Sequence, residues 1–210
     1  MSSPTTAATC TWAGGNNVWT NIAQWSCGVQ PGSIDNVFIS TPGSIVSISN
    51  INANAGTISL GSGNQLNITN SSLFIFNNAV TNNGTFTIGG AAGTADLRSG
   101  SGNVTFTGTG TIVLNDTAGL ARMFSGGFVF GSGQTVRGSG QMGVNQTIFS
   151  NAGLISSDVN TRNLSIDVTG GNGGVGAGNG FGTNTASGLF NTGTMQAANG
   201  GTFVVRKRAI

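Results

Sequence analysis

Asn82-Asn83-Gly84-Thr85-Phe86-Thr87-Ile88 reads as a polar turn feeding a short alternating strand, and its opening phrase returns along the chain. A polar or small residue, any residue, glycine, any residue and a large apolar residue recur at Asn54-Ala55-Gly56-Thr57-Ile58, Gly108-Thr109-Gly110-Thr111-Ile112, Gly138-Ser139-Gly140-Gln141-Met142, Asn151-Ala152-Gly153-Leu154-Ile155 and Asn191-Thr192-Gly193-Thr194-Met195. Each copy is a turn signal ahead of a strand, so the repeat predicts successive coils of a β-solenoid with these glycines at the corners.

The corner glycines Gly56, Gly84, Gly110, Gly140, Gly153 and Gly193 are unevenly spaced, closest between Gly140 and Gly153 and farthest between Gly153 and Gly193. Short solenoids with a strict consensus keep one spacing, whereas a right-handed parallel β-helix absorbs insertions in its turns, and the irregularity predicts the latter. Between the glycines, Ile45-Val46-Ser47-Ile48, Leu73-Phe74-Ile75-Phe76, Val104-Thr105-Phe106-Thr107 and Leu164-Ser165-Ile166-Asp167-Val168 alternate with period two, one set facing inward. No stretch has a helical period, and the strong helix formers are scarce: there is no Glu and one Lys, Lys207. An all-β right-handed parallel β-helix is therefore expected; about eight coils at ~4.8 Å per strand would make a rod of ~40 Å. Asn at equivalent turns would form amide ladders along its axis. A sandwich or jelly roll is the alternative, since short strands and Gly-rich turns serve those folds too.

Composition agrees with a folded chain whose polarity comes from amides and hydroxyls. Its 210 residues include 37 Gly, 12 Phe and three Pro, are 37% hydrophobic and only 6% charged, and carry a net charge of +2. A disordered chain would reverse that balance.

The opening segment, 1–40, differs from the rest. Cys10, Trp12, Trp19, Trp25 and Cys27 are both of the cysteines and all three tryptophans of the chain. The first coil of a solenoid exposes an unpaired edge, so an aromatic cap closed by a Cys10–Cys27 disulfide would cover it. Such a bridge would stabilise by about 3 kcal/mol. Two unpaired buried thiols are the alternative; zinc is disfavoured because two Cys without His leave too few ligands. Residues 1–40 are read as the cap and 41–210 as coils, with continuation past the chain end left open.

Thr11-Trp12-Ala13-Gly14-Gly15-Asn16-Asn17-Val18-Trp19-Thr20-Asn21-Ile22-Ala23-Gln24-Trp25-Ser26, followed by Val29-Gln30-Pro31-Gly32 and Asp35-Asn36-Val37, resembles the opening of bacterial autotransporter-like and related β-helical surface proteins. The resemblance covers the opening segment, and the remainder only as a loose repeat. It implies an exported right-handed β-helix at a cell surface, serving adhesion or structure. This chain departs from those proteins in having no recognisable C-terminal membrane barrel.

Met1–Thr9 lacks the basic and apolar regions of a signal peptide, which suggests a mature or recombinant start. The chain stops just after the strand-like Thr202-Phe203-Val204-Val205, as a piece of a longer protein would, although the charges that follow that strand could equally discourage edge pairing in a complete one. No membrane span is expected.

With no His, Ser-His-Asp, Cys-His and His-based metal arrangements are absent, and no metal or cofactor site is expected. The side-chain carboxylates are Asp35, Asp96, Asp116, Asp158 and Asp167. An acidic pair on one face is the enzyme hypothesis, as in a polysaccharide-degrading β-helix, and Asp158 with Asp167 is the closest pair in sequence. They lie on separate strand-like segments, where isolated Asp more often caps a turn, so a non-enzymatic reading is preferred.

Other motifs carry less. Gly171-Asn172-Gly173-Gly174-Val175-Gly176 matches a dinucleotide fingerprint by letter, but within the Gly-rich tract 170–183 it has no helix to receive a pyrophosphate. Sequons such as Asn70 and Asn145 arise by chance in so Asn-rich a chain. Arg206-Lys207-Arg208 lacks the basic stripe with interleaved aromatics that nucleic-acid binding needs, and none is expected. The alternating Thr105, Thr107, Thr109 and Thr111 suggest a flat hydroxyl surface that could order ice-like water, a minor idea. Two function classes remain: an exported adhesion module meeting glycans or host surfaces, and a self-assembling subunit of an extracellular fibre or sheath. Low charge and small side chains mildly favour assembly.

Overall fold

The computed structural model describes residues 6–100, 102–168 and 188–206. Twenty strands stack in parallel as a β-solenoid of about seven turns, and a 3-10 turn, Ile22–Gln24, is the one helical element among the described residues. The parallel pairing excludes the sandwich alternative.

Three columns of strands form its walls. Column one stacks β2 (Asn16–Val18), β4 (Ile45–Ser49), β7 (Gln65–Thr69), β10 (Thr85–Gly89), β13 (Thr111–Asn115), the start of β15 (Thr135–Asn151), β16 (Leu154–Ser157) and β19 (Thr194–Ala197). Column two stacks β5 (Asn52–Ala55), β8 (Ser72–Phe76), β11 (Thr94–Ser99), the start of β14 (Leu120–Phe130), the middle of β15, β17 (Asn163–Ile166) and β20 (Thr202–Val205). Column three stacks β1 (Thr9–Thr11), β3 (Asn36–Ile39), β6 (Thr57–Leu60), β9 (Val80–Asn82), β12 (Asn103–Thr107), the ends of β14 and β15, and β18 (Leu189–Asn191).

Period-two alternation explains the filled interior. Val46, Leu66, Phe86, Ile112, Val136 and Ile155 fall in register down column one, and Ala53, Phe74, Leu97, Met123, Met142 and Ile166 down column two, all fully buried. Each large apolar side chain so placed contributes ~1.5–3 kcal/mol relative to exposure. An aromatic spine runs through this core. It passes from Trp12 to Trp25 and Trp19, then to Phe74 at 5.0 Å, and on through Phe76, Phe106 and Phe128 to Phe149.

Turn length varies, as the irregular glycine spacing predicts. In column one Gln65 stands beside Thr85, Thr85 beside Thr111, and Leu154 beside Thr194, so successive turns spend different lengths of chain to return to the same wall. The uneven intervals around Gly56 and Gly140 have a different cause. Gly84, Gly110, Gly153 and Gly193 share the corner from column three into column one, whereas Gly56 precedes β6 at another corner and Gly140 lies within β15, opposite Leu164 of column two.

The shared corner needs glycine for space rather than for a left-handed backbone, since none of its four glycines has a positive φ. A Cβ on Gly84 would lie 2.5 Å from the Asn64 carbonyl oxygen, one on Gly110 would meet the Asn82 amide, and those on Gly153 and Gly193 would strike the turn beneath. The same corner carries the expected amide ladder in buried form. The Asn82 Nδ2 donates to Gln134 Oε1 at 3.1 Å, Gln134 Nε2 donates back to the Asn82 carbonyl at 3.0 Å, and Asn151 Nδ2 donates to Asn191 Oδ1 at 2.7 Å. Asn82 and Asn151 also accept from the N–H of the glycine two positions on, at 3.1 Å each, which explains the Asn-x-Gly phrase.

Candidate functional site

The N-terminal cap is a short insertion rather than a separate unit. β1, β2 and β3 already stand in the solenoid's columns, and residues 19–35 between β2 and β3 close the end where the first turn has no column-two strand. Trp12 and Trp25 form an antiparallel bridge, Cys10 and Cys27 are joined by a disulfide, and all three Trp are buried. Trp25 Nε1 donates to the Trp19 carbonyl at 2.8 Å and Trp12 Nε1 to the Gly15 carbonyl at 3.2 Å. A bridge of this kind persists in an oxidising compartment.

Among the described residues, the densest charge lies on the outer face of column two. On β11, Thr94, Asp96 and Arg98 project outward because alternate residues share a face of a strand. Arg122 of β14 is paired directly with Asp96 and Phe124 with Arg98. Arg122 grips Asp96 with two bonds, Nε to Oδ1 at 2.7 Å and Nη2 to Oδ2 at 2.9 Å, and Arg98 Nη2 adds a third at 2.8 Å. Both guanidiniums lie over the Phe124 ring, at 4.3 and 5.0 Å from its centre, a cation–π arrangement that holds their planes. The Asp96 side chain is left 7% exposed, that of Arg98 35% and that of Arg122 25%.

A shallow groove of about 420 Å³ opens beside this cluster, and Asn52, Leu73 and Thr94 join Asp96, Arg98 and Arg122 along it. A smaller depression of about 130 Å³ lies farther along the same column, lined by Gln141, Val144, Ser165, Asp167 and Arg206. Val144 has φ 49°, a left-handed conformation that a β-branched side chain rarely adopts.

The structure does not bring Asp158 and Asp167 together. They stand at opposite ends of β17, Asp158 beside Arg137 at 3.3 Å and Asp167 in the smaller depression. Asp35 accepts from the N–H groups of Ala8 and Gly32 at 2.8 and 2.7 Å, and Asp116 accepts from Ser139 and, at 3.3 Å, from Arg162. Four of the five aspartates thus tie one turn to another or close a local loop.

The alternating threonines also divide between walls. Thr105 and Thr107 lie in column three, while Thr111 joins Thr85 and Thr135 in a row on column one. The neighbouring row, Thr87, Val113 and Arg137, does not continue the pattern, so a two-wide threonine array does not form there. The Gly-rich tract at 170–183 and the tail residues Lys207 and Arg208 lie outside the described residues.

Sequence reasoning missed Asp96, Arg98, Arg122 and Phe124 as a group. The interval from Asp96 to Arg122 equals that from Gly84 to Gly110, and this shared step was the signal that they stack on consecutive turns. No helix among the described residues is long and apolar enough to cross a membrane. Compared with known proteins, the chain matches no family model, no curated protein and no solved structure.

Proposed function

We propose that this chain is a non-enzymatic, exported surface module: a rigid β-helical rod whose polar walls meet glycans or a host surface. One observation carries the reading. The interior is packed with apolar side chains from the cap to Ile166, leaving the outer walls to meet ligands, and one wall bears a groove lined by two guanidiniums, a carboxylate, hydroxyls, an amide and Leu73. The disulfide favours an oxidising, extracellular setting. The engagement of Asp35, Asp96, Asp116 and Asp158 as fixed acceptors favours holding over proton transfer. A glycan array tests adhesion: reproducible binding to a class of glycans supports it, and a blank array counts against it. Cleavage of polysaccharides by the purified chain, abolished by Asp158→Asn or Asp167→Asn, would replace the reading with an enzymatic one.

Self-assembly into a fibre or sheath is the second reading, favoured by the low charge and by the flat row of Thr85, Thr111 and Thr135 on column one. Electron microscopy separates the two. Ordered filaments with a repeating subunit support assembly, and dispersed rods that stay monomeric at high concentration by light scattering support adhesion.

A further inference from the structure

We propose that the column-two groove is a binding site for acidic polysaccharide, with Arg98 and Arg122 taking a sugar carboxylate. The inference rests on the surface-module reading and adds to it a place and a ligand chemistry.

Both oxygens of Asp96 are occupied by three N–H bonds from the two arginines. A guanidinium carries five N–H donors. Arg122 spends Nε and one Nη2 hydrogen on Asp96 and Arg98 spends one, so the Nη1 groups of both have no protein acceptor among the described residues. The cluster holds two cations against one anion. It therefore presents surplus donors and surplus positive charge together, the complement of an anionic acceptor.

The fork is also held in advance. Its two planes rest on Phe124 and are tied through Asp96, so binding forfeits little side-chain freedom. Fixed guanidinium groups suit a planar carboxylate better than a flexible ammonium would.

The rest of the groove selects a saccharide over other anions. Asn52 and Thr94 supply an amide and a hydroxyl matched to sugar hydroxyls, and Phe124 lies under the guanidiniums, where no base could stack on it. Asn52, Leu73, Asp96 and Arg122 stand side by side on four successive turns. At ~4.8 Å per turn that is ~14 Å of continuous open wall, a shape for an extended chain.

The test uses the full chain and two probes, an oligogalacturonate and a neutral dextran of similar length, followed by titration calorimetry. The expected result is binding of the oligogalacturonate, weakened by added salt and roughly tenfold by Arg98→Gln or Arg122→Gln. Arg137→Gln, on column one beside Asp158, should leave it unchanged. If Arg122→Gln fails to fold, Arg98→Gln carries the test, because that side chain makes a single bond to Asp96 and is one-third exposed. Unchanged affinity in a folded Arg98→Gln protein, or equal binding of the neutral dextran, overturns the acidic site and leaves glycan adhesion standing. No binding of either probe also overturns it, and only a blank glycan array as well would remove the broader reading.

Discussion

At the first turn Trp12, Trp19 and Trp25 are buried to 3% exposure or less, whereas at the last described turn the inward positions Met195 and Phe203 are half-buried and Val205 is 45% exposed. The aromatic spine begins among the tryptophans and ends at Phe149, before the turn made by β18, β19 and β20. In a solenoid each turn is stabilised by its neighbours. The first turn has both the next turn and a cap with a covalent tie; the last described turn pairs only with β15, β16 and β17. Local stability should therefore fall from the capped end toward the other.

The largest effect should come from removing the cap's central ring. Trp19 is fully buried between Trp25, at 4.8 Å, and Phe74, at 5.0 Å. Trp19→Ala should cost ~3–5 kcal/mol in denaturant unfolding, as large aromatic truncations do. A loss no greater than that of a truncation in the last turn would mean that the two ends are equally stable. Next in size, replacing Cys10 and Cys27 with Ser frees a bridge of sequence separation 17 and should cost about 3 kcal/mol, read as a lower Tm and matched by reduction of the native chain.

The cap was readable because its signals are local: three Trp and two Cys in one short segment leave few ways to arrange themselves. The coils were readable for a related reason, since period two and Asn-x-Gly act between near neighbours in sequence. Assigning glycines to particular corners needed more, because Gly56 and Gly84 open the same phrase, Asn-x-Gly-Thr and a large apolar residue, yet sit at different corners. The Asp96, Arg98 and Arg122 cluster was hidden further still. Its members meet only once the turn length is known, and that length grows between adjacent coils, from the Gln65–Thr85 step to the Thr85–Thr111 step.

A middle-sized effect belongs to the buried amides between the two ends. Asn151 follows Phe130 in the inward row of column three, taking an apolar position. It donates to Asn191 and accepts from Gly153, so Asn151→Ala leaves buried polar groups without partners. The expected cost is ~1–3 kcal/mol by denaturant unfolding. Asn151→Leu sharpens the point: restored stability would mean that the position wants only volume, whereas a cost like that of alanine would show that the amide's bonds hold the corner.

The smallest effect should come from the last described turn. Phe203 pairs with Leu164 and sits half-buried on the spine's open side. Half the burial gives about half the transfer term, so Phe203→Ala should cost only ~1 kcal/mol. Hydrogen exchange gives the same comparison without mutation. Amides of β20 and β19 should exchange through local opening at low free energy, while those of β8, whose Phe74 packs on Trp19, should approach the global value. Equal protection at both ends would mean that something other than the visible turns covers the far end. A gradient would make the cap the anchor from which the rod's order extends, and would place the column-two groove, on β5, β8, β11 and β14, in the stiff part of the rod where a preset guanidinium fork is best maintained.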